Sequence, residues 1–169
     1  MKKGLLKLDV SLLSDYDEFL NANPNNWNIA SYMNTFYDTN AALTFSKFFF
    51  PDFIEKKGCV VLDFLFDKKT FKDWFNEYKG DISSIEYMCN MYELKDYFHI
   101  NDNYDDDTVY WERIFALGRI MQRAWQINLN LLFPDRKFKV VLVDDRKMDM
   151  YYITFFSISP KTNRAIKQK

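Results

Sequence analysis

Residues 108–132 constrain this chain more than any other run. Trp111, Ile114, Phe115, Gly118, Met121, Trp125, Leu129 and Leu132 recur at three- and four-residue spacing, the period of one helix face. Arg119, Gln122, Arg123, Gln126 and Asn130 fall on the opposite face, which is expected to be solvated. Pro134 stops the helix, because the residue before a proline avoids helical angles. Gly118 lies on the apolar stripe, where it costs about 1 kcal/mol relative to Ala. Another helix or a bulky aromatic is therefore expected to approach closely there.

The chain after this helix reads as a β-hairpin. Segments 137–143 and 150–157 flank a charged loop, and Phe138, Val140 and Leu142 alternate with Val141 and Val143. Tyr152, Thr154 and Phe156 likewise oppose Tyr151, Ile153 and Phe155. Both faces are apolar, so this hairpin is either covered on both sides or pairs with another chain. An earlier hairpin is expected from 53–56 and 59–64 around Lys57-Gly58. Shorter helices are expected near Ser14-Asp15, over 27–49 with Ile29, Met33, Phe36 and Leu43 on one stripe and Asn40 interrupting it, and over 67–78. Asp81 opens another, with Ile82, Ile85 and Met88 or Cys89 inward and Ser84 and Glu86 in its early turns. Phe50-Pro51-Asp52 and Phe133-Pro134-Asp135 both separate a helix from a strand. The flanking elements differ, so no duplication is read.

The expected fold is α+β: two antiparallel β-hairpins in one sheet, packed with four or five helices including the long one at 108–132. Residues 1–158 are expected to form one domain. Residues 159–169, with Lys161, Arg164, Lys167 and Lys169, form a solvated basic tail, for which a nucleic-acid arm is the sharper alternative.

Composition narrows the chemistry. The 169 residues include 17 Phe, 11 Tyr and 4 Trp but one His, two Cys and four Gly, with a net charge of −1. That balance steers the chain toward neither nucleic acid nor an anionic membrane. The stretch 41–50 is too short to span a bilayer, and the first nine residues lack a signal-peptide core. A soluble cytoplasmic protein is expected. Cys59 and Cys89 then read as buried thiols, with a disulfide left open. No Gly-rich phosphate cradle and no GxSxG nucleophile motif is present.

Residues 101–107 carry the densest charge. Asn101, Asn103, Asp105 and Glu112 sit at EF-hand spacing, but Asn replaces Asp at position one and Asp106 replaces the turn Gly at position six. The acids suit the positive end of the long helix instead. His99 lacks any metal-ligand spacing; with Glu86, Glu93 and Asp96 it forms the one candidate acid–base group. Arg119 and Arg123 could touch phosphates but read first as a solvated face. Tyr87, Tyr92, Tyr104 and Tyr110 lie beside acids or near loop ends, a makeup suited to protein contacts.

The long helix from Trp111, its Phe133-Pro134-Asp135 exit and the closing Tyr152-Ile153-Thr154-Phe155 resemble small bacterial α+β immunity proteins of polymorphic toxin systems, over the last third of the chain. The resemblance implies a cofactor-free binding protein whose target is a toxin enzyme; no family site residue carries over. The leading expectation is a protein-binding module that occludes a basic toxin domain through Asp102, Tyr104, Asp105, Asp106, Asp107 and Tyr110, using no metal. The alternatives are a small hydrolase-like enzyme using carboxylates with His99, and a structural subunit of a homo-oligomer, such as a homodimer, pairing through the terminal hairpin.

Overall fold

A computed structural model describes residues 4–6, 8–98, 107–145, 148 and 150–158. In chain order these form α1 (Tyr16–Ala22), α2 (Ile29–Phe36), α3 (Thr39–Phe49), β1 (Phe53–Lys56), β2 (Cys59–Leu62), α4 (Lys68–Glu77), α5 (Ile82–Cys89), β3 (Tyr92–Glu93), α6 (Asp107–Leu132), β4 (Phe138–Asp145) and β5 (Met150–Ser157). The class is α+β, with α6 as the long helix. The basic tail lies outside the described residues.

There are six α-helices among the described residues rather than four or five, because the helix expected over 27–49 breaks in two. Asn28 caps α2, its side chain accepting from the backbone N–H groups of Ala30 and Ser31. Asp38 caps α3 by accepting from Ala41 N at 2.7 Å, and Tyr37 before it is extended. A side chain able to satisfy orphan N–H groups gives the backbone a reason to restart, and the apolar spacing is blind to it.

Both hairpins form. Lys57 and Gly58 take positive φ (48° and 83°), as a two-residue hairpin turn demands, and Phe53 pairs with Leu62. In the second hairpin Val140 pairs with Phe155 and Leu142 with Ile153; Tyr92 of β3 pairs with Ile153 from the other side. Its two faces are covered within the chain. Tyr151 and Phe155 meet Phe115 and Trp125 of α6, while Tyr152 and Phe156 meet Tyr87 of α5. The outer edge of β4 is closed over its first half too. Gln126 brackets the strand, donating to Phe138 O and accepting from Val140 N, and Gln122 donates to Val140 O, each at 3.1 Å. These amides, expected in solvent, work as a substitute strand partner for an edge that would otherwise be open. Arg119, Arg123 and Asn130 on the same helix are exposed as expected.

The single sheet expected from the hairpins is in fact two, with strand orders β1-β2 and β3-β5-β4. The cause is α5. Its Glu86 and its C-cap residue Asn90, one turn apart and both fully buried, occupy the seam between β2 and β5. Glu86 Oε1 accepts from Val60 N at 2.8 Å, and Oε2 accepts from Ser157 N. Asn90 Oδ1 accepts from Leu62 N at 2.9 Å, while its Nδ2 donates to Val60 O and Phe155 O at 3.0 and 3.3 Å. Side-chain atoms thus replace the ladder that would have merged the sheets.

Gly118 does face a close approach. A Cβ there would lie 2.7 Å from Leu94 Cδ1 and 2.8 Å from the Tyr151 hydroxyl. The neighbours are a leucine and a sheet tyrosine rather than a helix. Trp125 anchors α3 onto α6, donating from Nε1 to Phe48 O at 2.6 Å, and Asn128 donates to Phe49 O. Both carbonyls belong to the last turn of α3, where helical partners run out.

Candidate functional site

Of the expected contact residues, Asp102, Tyr104, Asp105 and Asp106 lie outside the described residues, as does His99. Asp107 begins α6, and its side chain is likewise outside the description. Tyr110 requires a correction. It is 4% exposed and belongs to the main core, with its ring 5.4 Å from that of Trp111. A helix stripe three residues from a charged loop already points inward, so proximity to acids does not place a tyrosine on the surface.

The carboxylates proposed for acid–base work are placed differently from one another. Glu86 is the most buried charge carrier described, and its oxygens are held by two backbone amides and by Arg136 NH2 at 2.9 Å. Arg136 also donates to Ser157 Oγ at 2.7 Å and stacks over the Phe138 ring at 4.9 Å. Sequence spacing did not single out Arg136, fifty residues away. Glu93 accepts from Tyr151 N at 2.8 Å, a structural bond at the β3–β5 junction. Among the described residues no group of three or more His, Cys, Asp or Glu gathers as a metal site.

Both cysteines are free thiols. Burial, then the Glu86 carboxylate, pushes each up to about 11, so the thiols stay protonated at neutral pH and make poor nucleophiles. Burial and the hydrogen bond with Tyr87, 2.8 Å between hydroxyls, push Tyr152 up to about 12. These shifts follow burial and internal bonding.

The unusual surface lies in the N-terminal helices. Here α1 and α2 share a small aromatic centre: Tyr32 meets Tyr16 edge-on at 5.1 Å and Phe36 at 4.7 Å, and Phe19 stacks on Trp27 at 4.5 Å. The Tyr32 hydroxyl donates to Ser14 O at 2.7 Å. Arg113 of α6 fastens the unit, donating to Leu12 O at 2.8 Å and to Ser14 Oγ at 2.9 Å. In α2 the one buried residue is Tyr32. The stripe that the spacing assigns to the core faces water instead: Ile29 is 38% exposed, Met33 52% and Phe36 51%, flanked by Trp27 at 39% and Tyr37 at 52%.

With a large side chain offering about 150–250 Å², these five residues leave on the order of 500 Å² of mostly apolar area in solvent. Exposed apolar area of this order is often tied to function where it is contiguous. The chain around the stripe carries almost no charge. From Phe19 to Ser46 the only ionisable acid or base is Asp38, apart from tyrosine hydroxyls. A charge-poor centre rich in Trp, Tyr, Phe and Met is the composition of an interface core.

Comparison with protein families, curated proteins and solved structures finds no match. The surface must therefore be read from its own chemistry. It has aromatic area for desolvation and asparagine and serine groups for adaptable hydrogen bonds. The signal in the sequence was the run from Phe19 to Ser46, in which Asp38 is the one acid or base, a scarcity that the helical spacing alone did not reveal. Among the described residues no helix is long and apolar enough to cross a membrane.

Proposed function

We propose that this chain is a protein-binding module whose contact surface is centred on the outward stripe of α2. The observation that supports the reading is the inverted helix: Ile29, Met33 and Phe36 are exposed while Tyr32 is buried. Leaving such a stripe in water forgoes about 25 cal/mol per Å² of burial, which a partner would recover. Within that class the reading is an immunity-type inhibitor. The acids Asp102, Asp105, Asp106 and Asp107 would steer a basic toxin domain toward the chain, and the aromatic stripe would hold it.

Affinity capture from the source cell separates these roles. Wild type should retain a stoichiometric basic protein. Met33→Asp should lose it. Asp102→Lys with Asp105→Lys should mainly slow its association. A partner retained equally by Met33→Asp overturns the α2 surface, and a partner without a toxic activity overturns the inhibitor reading.

The sparse charge on the stripe favours one second reading, self-association, since two copies would meet with little like-charge repulsion. Light scattering across a concentration series tests it: mass rising to twice the chain in wild type but not in Met33→Asp supports a homodimer.

A further inference from the structure

Between the N-terminal segment and α6 runs a groove of about 570 Å³, away from the α2 stripe. Its volume falls within the roughly 300–1,000 Å³ typical of small-molecule sites. One wall is Leu5, Leu6 and Leu8, all exposed; the other includes Phe115 and Ile120 of α6. Arg119 and Arg123 stand on the same helix face, one turn apart. Both are exposed, and neither has an ion-pair or hydrogen-bond partner among the described residues.

Two acids, Asp9 and Glu112, also border the groove. Asp9 is engaged locally, its Oδ1 accepting from Ser11 N at 3.1 Å and Ser11 Oγ at 2.7 Å. Glu112 precedes Arg119 by seven residues, about 10 Å along the helix axis. The groove thus combines two carboxylates, an apolar wall and two exposed arginines.

We propose that this groove binds a single-chain anionic amphiphile. Its phosphate or carboxylate head lies between the Arg119 and Arg123 guanidiniums, and its acyl body covers the leucines. Paired guanidiniums suit an oxyanion because their planar donor forks match its oxygens. The leucine wall selects for a tail, since a bare anion would leave those side chains in water. The proposal is independent of the protein-binding reading, because it uses neither α2 nor the acidic segment.

Calorimetric titration of the full chain with monomeric dodecyl phosphate tests it, with inorganic phosphate and vesicles of phosphatidylcholine and phosphatidic acid as comparison probes. Saturable one-to-one binding of dodecyl phosphate is expected. The double variant Arg119→Ala, Arg123→Ala should bind at least about tenfold more weakly, from the loss of charge-assisted contacts. Ala116→Trp, which fills the groove floor, should abolish binding while the arginines remain. Any of three results overturns the proposal: no saturable binding by wild type, affinity unchanged in both variants, or inorganic phosphate binding as tightly as dodecyl phosphate. Binding to vesicles without binding of the monomer overturns it as well, in favour of a membrane surface.

Discussion

The α5 seam and the α2 stripe are opposite exceptions to the same rule. At the seam, Glu86 and Asn90 are polar and buried. On α2, Ile29, Met33 and Phe36 are apolar and exposed. The seam is satisfied: every polar atom named there has a partner on β2, β5 or Arg136. The stripe is not, since the described chain leaves Met33 and Phe36 about half exposed and Ile29 more than a third exposed. A buried polar group that is fully bonded serves the fold, whereas an exposed apolar patch left uncovered points to something outside it. That difference assigns Glu86 to architecture and α2 to binding.

The comparison breaks if the seam can be altered without cost. Glu86→Ala strands two backbone amides and leaves Arg136 with Ser157 Oγ and the more distant Glu55, at 3.8 Å, as its polar partners among the described residues. The expected loss is about 3–5 kcal/mol in urea unfolding, the usual penalty for removing one member of a buried pair. A loss below about 1 kcal/mol would mean that water or a shift of α5 replaces the carboxylate.

Alkaline titration probes the seam without mutation. Burial raises Cys59 and Cys89 from 9.0 to about 11. The unfolded thiols then release protons first as pH rises, so the folded state has its full advantage below pH 9 and loses it between about 9 and 11. The melting temperature should fall through that window, and Cys59→Ala should flatten the fall. A melting temperature independent of pH from 9 to 11 would contradict the burial of these thiols.

Gly118→Ala tests the packing of α6 against Leu94 and Tyr151. Ala gains about 1 kcal/mol of helix propensity, but its Cβ must displace groups 2.7 and 2.8 Å away. Overpacking costs about 1–3 kcal/mol, so a net loss near 1 kcal/mol is expected. A stabilised variant would show that Leu94 yields freely.

Met33→Asp sharpens the contrast from the other side. Substitution of an exposed residue should change stability by no more than about 0.5 kcal/mol, while removing partner binding. A large loss of stability would show that α2 packs inward after all.

How legible the molecule was in its sequence varied by region. The long helix ran within a residue of its expected start, and its Phe-Pro exit was placed correctly. Lys57-Gly58 made the predicted turn, and the alternation of β5 placed Phe155 and Phe156 on opposite faces as expected. The sheet count was not legible, nor was the role of Gln122 and Gln126 on β4. The candidate surface was half visible: the stripe on α2 could be read, but its direction could not.

Periodicity and turn chemistry were therefore settled by the sequence alone, because both arise from geometry within a few residues. Residues at i, i+3 and i+4 share a helix face whatever lies opposite. A Gly after Lys57 turns the chain wherever that hairpin docks. What lies opposite each face was decided only in the tertiary structure. Glu86 and Arg136 meet across fifty residues, and Val60 and Ser157 donate to one carboxylate from two different sheets. No local pattern encodes such a meeting. The same holds for α2: its stripe is a property of the sequence, but its exposure depends on Tyr32, Phe19 and the Arg113 tether taking the inward side first.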